Sequence, residues 1–140
     1  MVDQNTQPDT LLSEETTSDR AASRSLELSN AISRLHKQFI GRGPTNSRTT
    51  IDGDLVVCLL EGGFTVAEQT LGDNDMQELV IAGRVGLQDS MRQAMIEAVQ
   101  EVTGRRVRSF MSANDLEHNF QTEIFVLWPE GADHENSLDI

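Results

Sequence analysis

The 140-residue chain carries 23 acidic and 11 basic side chains, which gives a formal net charge of −12 at pH 7. An acidic chain repels phosphate backbones and anionic lipid, so we expect no nucleic-acid partner and no direct insertion into a membrane. The sequence has one cysteine, Cys58, and no apolar run of transmembrane length, which favours a cytoplasmic protein without an internal disulfide.

The start of the chain predicts a polar tail followed by a helix. Residues 1–21 contain few apolar side chains, so we interpret them as a disordered N-terminal tail. A helix is predicted from Ala22 to Ile40, because apolar residues recur there at the helical spacing of three or four positions: Leu28, Ile32, Leu35 and Phe39. The stop signal after this helix contains two glycines and a proline: Gly41, Arg42, Gly43 and Pro44.

The segment after this stop predicts a β-hairpin. Asp52 and Gly53 form an Asp-Gly pair, which favours a tight turn. The strand before the turn, Ser47–Ile51, is polar, whereas the strand after it, Leu55–Leu60, is apolar at every position. A strand that is apolar on both sides requires cover on both faces of its sheet.

Two helices are predicted next. Thr65 and Glu68 match a capping box, in which each side chain satisfies a backbone amide at the other residue, so a short helix begins at Thr65. A long amphipathic helix then runs from about Met76 to Thr103, and Gly104 supplies a left-handed stop after it.

The long helix has a predicted apolar stripe and a predicted bend. The stripe consists of Met76, Val80, Leu87, Met91, Met95, Ala98 and Val102, with Gln88 on the opposite, polar side. Gly83 and Gly86 interrupt the first third, where they predict a kink, a bend or a separate turn, because glycine is unfavourable inside a helix.

The end of the chain predicts two more strands and an acidic tail. The strands are Arg106–Met111 and Glu123–Trp128, joined by a polar turn. Residues 130–140 form the predicted acidic C-terminal tail, so the folded domain spans residues 22–129. The element order α-β-β-α-α-β-β predicts a two-layer α+β fold, with helices on one face of a four-stranded, mainly antiparallel sheet.

Several segments together resemble a known family. They are Gly41-Arg42-Gly43-Pro44, Gly62–Leu71, Val80 with Arg84, Ala98–Val107, Phe110-Met111-Ser112 and Ile124–Leu127. In this order and with these gaps they are similar to the MpsC-like family of bacterial domains, named after a sodium-translocating, membrane-potential-generating system. The resemblance covers about residues 28–128 and implies a small soluble domain without established catalytic residues. It also implies an accessory role in membrane cation or inorganic-carbon transport.

Four arginines are candidates for contact with an anion or an acidic partner. Arg42 lies between two glycines whose backbone amides can cradle an oxyanion, but a helix C-terminus with a favourably placed cation explains the same residues. Arg105, Arg106 and Arg108 form the second candidate, and the alternative for them is a solvated sheet face or an ion-paired dimer contact.

We predict no catalytic residue, no cofactor and no metal site. Glu61, Glu68 and Glu101 have no histidine at ligand spacing, and Cys58 in its apolar strand is predicted to be a buried core residue. Four methionines are predicted to fill the core: Met76, Met91, Met95 and Met111. Structural roles are predicted for Gly41, Gly43, Pro44, Asp52, Gly53, Thr65, Glu68 and Gly104.

The function expected from the sequence is a non-catalytic protein-interaction module that forms a homodimer. The strands Leu55–Leu60 and Ile124–Trp128 require cover on both faces, and two helices cover about one face of a four-stranded sheet. A second copy is the expected cover, because closed homodimers are the commonest oligomers. The alternative is a small anion- or nucleotide-binding domain, with or without enzymatic activity, that uses the Arg42 loop or the Arg105–Arg108 cluster.

Overall fold

The computed structural model describes the backbone of residues 6–131 and the side chains of residues 19–131. Within that range the elements are α1 (Thr6–Ile40), β1 (Asn46–Asp52), β2 (Leu55–Glu61), α2 (Val66–Asp73), α3 (Gln77–Thr103), β3 (Val107–Asp115) and β4 (Phe120–Leu127). The strands form one sheet in the order β1-β2-β4-β3, and every neighbouring pair is antiparallel. The predicted α+β fold and its element order are therefore confirmed.

The strand register fixes which side chains share a face of the sheet. The β1–β2 hairpin turns through Gly53 and Asp54, and Gly53 has a positive φ of 58°, as the first residue of a type II′ turn requires. Cys58 of β2 lies between Thr49 of β1 and Glu123 of β4. Because side chains alternate along a strand, these three residues point to the same face.

The helices α1 and α3 contact each other on that face and bury the core beneath them. The core consists of Leu28, Ile32, Val56, Cys58, Leu60, Met91, Met95, Val99, Phe110, Phe125 and Leu127. Hydroxyl contacts join α1 to the polar strand β1. The hydroxyls of Ser29 and Thr49 are 2.8 Å apart, and Ser33 donates to Ser47 at 3.1 Å. These bonds explain how a polar strand packs under a helix.

The first helix differs from its prediction in length and in rotation. It begins at Thr6, well before Ala22, so part of the predicted N-terminal tail is helical. Residues 1–5 of that tail and residues 132–140 of the predicted acidic tail lie outside the described residues. Phe39 is 42% exposed, and His36 is buried instead, one turn after Ile32. The buried residues of α1 therefore recur every four positions, and the prediction that Phe39 lies in the core was wrong.

The long helix α3 also differs from its prediction. It runs as one helix through Gly83 and Gly86, so no separate turn forms there. Its buried residues are Val80, Arg84, Gln88, Met91, Met95 and Val99. The placement of Gln88 on the solvent side was therefore wrong. The physical reason lies in the sheet, because Asn114 and Glu123 bring polar side chains to the core face opposite this part of α3.

The predicted helix ends are present. Thr65 caps α2 by accepting from the backbone amide of Glu68 at 3.1 Å, and the Glu68 carboxylate accepts from the amide of Thr65 at 2.8 Å. Gly104 ends α3 in the left-handed conformation with a φ of 70°. Short sequence signals therefore predicted the ends of these helices correctly, whereas the apolar pattern did not predict correctly which sides of α1 and α3 face the core.

Candidate functional site

Arg42 lies in the loop between α1 and β1 and fastens that loop to the end of β2. Gly41 has a φ of 91°, and its amide donates to the carbonyl of Lys37 at 3.0 Å, which ends α1. The Nε of Arg42 donates to the carbonyl of Gly62 at 3.2 Å. The loop, which continues through Gly43 and Pro44, thus stops a helix and joins it to the sheet.

Arg105 forms hydrogen bonds to two chain segments at the other end of the sheet. Its guanidinium donates to the carbonyl of Gly53 at 3.0 Å, to the carbonyl of Trp128 at 2.6 Å and to the carboxylate of Asp54. Gly53 and Asp54 form the β1–β2 turn next to Asp52, and Trp128 follows β4. Arg105 therefore links the end of one hairpin to the end of the other.

Arg106 and Arg108 are both exposed. The carbonyl of Arg106 accepts from the amide of Trp128 at 2.9 Å, and the guanidinium of Arg108 lies 4.5 Å from the centre of the Trp128 ring. The register of β3 shifts between Val107 and Ser109, as in a β-bulge, so simple alternation along the strand does not hold at Arg108.

The four predicted arginines do not converge. Arg42 lies at the Gly62 end of β2 and Arg105 at the Gly53 end, and the seven-residue strand between them spans about 20 Å. A surface groove of about 330 Å³ at the Arg105 end is also lined by Arg24 and Glu130. One anion therefore does not reach both candidate regions.

A buried ion pair that the sequence analysis missed joins α2 to α3. Arg84 is fully buried, and its Nε lies 2.7 Å from one carboxylate oxygen of Glu68, while its Nη2 lies 2.9 Å from the other. The same Nη2 donates to the carbonyl of Gly63, and the guanidinium lies 4.6 Å from the centre of the Phe64 ring. Burial raises the pKa of Glu68, but hydrogen bonds from Arg84 and Thr65 outweigh this and hold it below its usual value.

A second buried polar cluster surrounds Glu123 on β4. Gln88 donates to one carboxylate oxygen at 3.1 Å, and the hydroxyl of Ser112 donates to the other. Gln88 and Asn114 exchange two amide hydrogen bonds of 3.1 and 2.9 Å, which orients the amide of Gln88. The Nε2 of His36 lies 3.3 Å from the same oxygen that Gln88 contacts. Residues from one helix, a second helix and two strands thus meet at one carboxylate.

The ring of His36 is oriented by its own helix. The Nδ1 of His36 lies 2.9 Å from the carbonyl of Ile32, and a carbonyl only accepts, so Nδ1 carries a hydrogen. The Nε2 of His36 is buried near Glu123 but makes no hydrogen bond with any of the residues that the structure describes.

The alternation of side chains along β4 is the sequence signal that would have revealed this cluster. Gln121 and Glu123 lie at alternate positions with Phe125 and Leu127, and all four are buried on the core face of β4. The sequence analysis grouped Glu123 with the strand end instead of applying the alternation. The pairing with His36 could not have been read from the sequence, because it depends on the rotation of α1.

The buried groups do not form an accessible reaction centre. His36, Gln88 and Glu123 are each at most 2% exposed, so a substrate does not reach them. Burial raises the pKa of the Cys58 thiol to about 11, so little thiolate exists at neutral pH. Within residues 19–131, no three or more histidine, cysteine, aspartate or glutamate side chains are grouped as a metal site.

The face of the sheet opposite α1 and α3, which we name the open face, is apolar at its centre. Alternation with the buried positions places eight apolar side chains there: Leu55, Val57, Leu59, Met111, Ala113, Phe120, Ile124 and Val126. Leu55 is 42% exposed and Met111 49% exposed, so the predicted core position of Met111 was wrong. Met76 is also exposed, whereas Met91 and Met95 are buried.

Charged side chains lie at the corners of the open face and along one end, where Glu61 ends β2 in the same row as Asp115. Arg48 and Asp52 alternate with the helix-facing positions of β1, which places them on its outer side. On β3, Asp115 lies on the same face as Met111, and Arg108 stacks on Trp128 at the opposite end. The face thus has an apolar centre and a charged rim, as protein interfaces have.

Comparison with known proteins connects the chain to one family. A family model described as "Na+-translocating membrane potential-generating system (MpsC)" matches residues 22–128. The Bacillus subtilis (strain 168) protein named "Uncharacterized protein YbcI" is 32% identical over 111 residues, covering 68% of this chain and 90% of the relative. A second protein of that organism, "Uncharacterized protein YrhF", is 28% identical over 102 residues, covering 71% of this chain and 84% of the relative. No solved structure matches the chain.

Proposed function

We propose that this chain, which belongs to the MpsC family, is a non-catalytic accessory module that serves a membrane-potential-generating system through protein–protein contact. The system would transport a cation or inorganic carbon, and the module would act on its cytosolic side. In the described part of the chain, none of the helices combines the length and apolar character needed to cross a bilayer. The proposal therefore assigns this part of the chain a docking role.

The observation that carries this proposal is the open face. The helices α1 and α3 lie on the other side of the sheet, and Leu55 and Met111 are nearly half exposed. Contiguous apolar patches of this kind on a protein surface mark interaction sites, because their exposure to water is unfavourable. We further propose that the module forms a homodimer.

The alternative, an anion- or nucleotide-binding domain, has less support. Arg42 and Arg105 already donate to backbone carbonyls at the ends of the strands, and Arg108 stacks on Trp128. The groove beside Arg105 also contains Glu130, whose charge opposes an anion. The contacts of these arginines therefore favour a role in the fold over a role in binding a ligand.

Capture from native membranes tests the proposed function. The tagged chain is incubated with detergent-solubilised membranes, and bound proteins are identified by mass spectrometry. The open-face variant is Leu55→Glu with Met111→Glu. The matched control, Leu79→Glu with Val85→Glu, changes two apolar residues of α3 that are 60% and 56% exposed.

We expect the unmodified chain and the control to capture components of a membrane transport system, and the open-face variant to lose them. Circular dichroism and thermal unfolding establish that both variants fold. The proposal is rejected if the open-face variant captures the same transport components as the unmodified chain, or if the unmodified chain captures none.

A further inference from the structure

We infer that the protein binds a water molecule in its interior, between Arg84 of α3, Gln121 of β4 and the backbone of Gly63. This place, which we name the inner site, lies on the helix side of the sheet. It is therefore separate from the open face and does not depend on the proposed docking role.

Gly63 brings the two side chains to one place. Its carbonyl accepts a hydrogen bond from Nη2 of Arg84. On the side where other residues carry a Cβ, an added Cβ would lie only 2.4 Å from Oε1 of Gln121. The backbone thus approaches the Gln121 amide more closely than a side chain allows, which explains the glycine. Arg84 and Gln121 therefore both lie against Gly63.

The helix α3 and the strand β4 run in the same direction. Gln88 of α3 contacts Glu123 of β4. Three turns later, Gln100 accepts from the backbone amide of Val107, which is paired with Leu127 at the end of β4. The contacts therefore advance along both elements together.

This direction places Arg84 above Gln121. Arg84 lies four residues before Gln88, and Gln121 lies two residues before Glu123 on the same face of β4. Four residues of a helix and two residues of a strand each advance about 6 to 7 Å. The position of Arg84 over Gln121 thus follows from the packing of α3 as well as from the contacts with Gly63.

Both side chains are buried with polar atoms that lack a partner. Arg84 is 0% exposed and Gln121 is 1% exposed. Among residues 19–131, Nη1 of Arg84 has no hydrogen-bond partner, and neither amide atom of Gln121 has one. Buried polar groups are unfavourable without hydrogen bonds, so proteins satisfy them with ordered water or a ligand. Because these atoms belong to two neighbouring side chains, one bound molecule can satisfy both.

The chemistry of these groups favours water as the bound molecule. Arg84 only donates, whereas the Gln121 amide donates and accepts, so the molecule must be able to do both. Glu68 already compensates the charge of Arg84, so a buried anion would lack a counter-charge, and a cation would meet the guanidinium. A small neutral molecule fits an enclosed site, and buried waters typically make about three hydrogen bonds of this kind.

The bound water also assigns a positioning role to Gln121. Through the water, Gln121 holds Nη1 of Arg84, while Nε and Nη2 of the same guanidinium bind Glu68. None of residues 66–73 in α2 is buried, so the attachment of α2 to α3 depends strongly on this ion pair. Gln121 therefore helps to hold α2 in place although it acts through Arg84.

A crystal structure of the full chain, at a resolution that shows ordered solvent, tests the inner site directly. We expect a water within hydrogen-bond distance of both Nη1 of Arg84 and the amide of Gln121. A direct hydrogen bond between these two side chains, with no water between them, overturns the inference. So does a solute other than water. This measurement needs no variant, so it decides the question even where a substitution prevents folding.

Oxygen-17 relaxation dispersion of water tests the same site in solution, because it counts the waters that remain inside a protein. Gln121→Met keeps a side chain of similar size without its amide and should lose about one such water. The matched control Gln93→Met makes the same change at an exposed position of α3 and should lose none. Equal counts in the unmodified chain and in Gln121→Met overturn the inference.

Hydrogen exchange tests the positioning role. Gln121→Met should accelerate exchange of the α2 amides severalfold more than exchange of the α3 amides, because the Arg84–Glu68 pair loosens. Acceleration by the same factor in α2, α3 and the sheet would show only a general loss of stability. That result overturns the positioning role of Gln121.

Discussion

Replacement of Arg84 by methionine should destabilise the fold more than any change of a surface arginine. Arg84 is fully buried, pairs with both oxygens of Glu68, donates to the carbonyl of Gly63 and stacks on Phe64. Removal of one partner of a buried ion pair costs about 3–5 kcal/mol, because the other charge remains without compensation. The side chain of Glu68 is 15% exposed, so water partly compensates, and we expect about 3 kcal/mol.

Urea titration followed by circular dichroism measures this loss. The matched control is Arg92→Met, on the same helix, because Arg92 is exposed and its guanidinium lies 5.2 Å from the centre of the Phe110 ring. The control should cost less than about 1 kcal/mol, as exposed cation–π contacts do. If Arg84→Met costs no more than Arg92→Met, the buried pair does not hold α2 against α3.

Three further changes probe other parts of the structure. Thr65→Ala should cost about 1 kcal/mol in the same titration, and a neutral result would show that the capping box does not stabilise α2. Cys58, whose pKa burial raises to about 11, should react with a thiol reagent at pH 7 only after unfolding, so rapid labelling of the folded chain would refute its burial. Hydrogen bonding to Asp115 raises the pKa of His118, and hydrogen bonding to His118 lowers the pKa of Asp115. Their pair should therefore be complete between about pH 4 and 6.5 and be lost on either side, as pH rises through the His118 pKa or falls through the Asp115 pKa. An NMR titration midpoint of His118 that stays unchanged in Asp115→Asn would contradict this.

The boundaries of most elements follow from local signals in the sequence. Thr65 and Glu68 form the capping box that their spacing predicts, and Gly104 adopts the left-handed conformation that ends α3. These features depend on backbone groups within a few residues, so the sequence contains the information that determines them. The element order follows in turn, because each boundary separates two segments of different periodicity.

The interior of the protein was predicted less well, because it depends on contacts between distant residues. Arg84 and Gln88 have polar side chains, and their burial is favourable only because Glu68, Glu123 and Asn114 supply partners. Periodicity based on apolar residues therefore shifted the stripe of α3 away from its true position. A polar residue at helical spacing from buried residues on both sides is the sequence signal that would correct such an error in the predicted stripe.

The sequence indicated the arginines as the candidate site, whereas the structure indicates the sheet surface, for a similar reason. Arg42 and Arg105 appeared available as charges in the sequence, but the fold uses them to hold carbonyls at strand ends. The open face was predicted from the continuous apolar character of Leu55–Leu60 and Ile124–Trp128. Its charged corners could not be predicted, since they require the register of all four strands.

Photo-crosslinking in living cells tests most directly the central claim that the open face contacts other proteins. A photoreactive phenylalanine analogue replaces Met111 on the open face in one strain and Val85 on the exposed side of α3 in another. Covalent adducts are then isolated and identified by mass spectrometry. We predict protein adducts from position 111, either with a second copy or with a transport component, and none from position 85. Adducts from position 85 alone, or from neither position, would contradict the account.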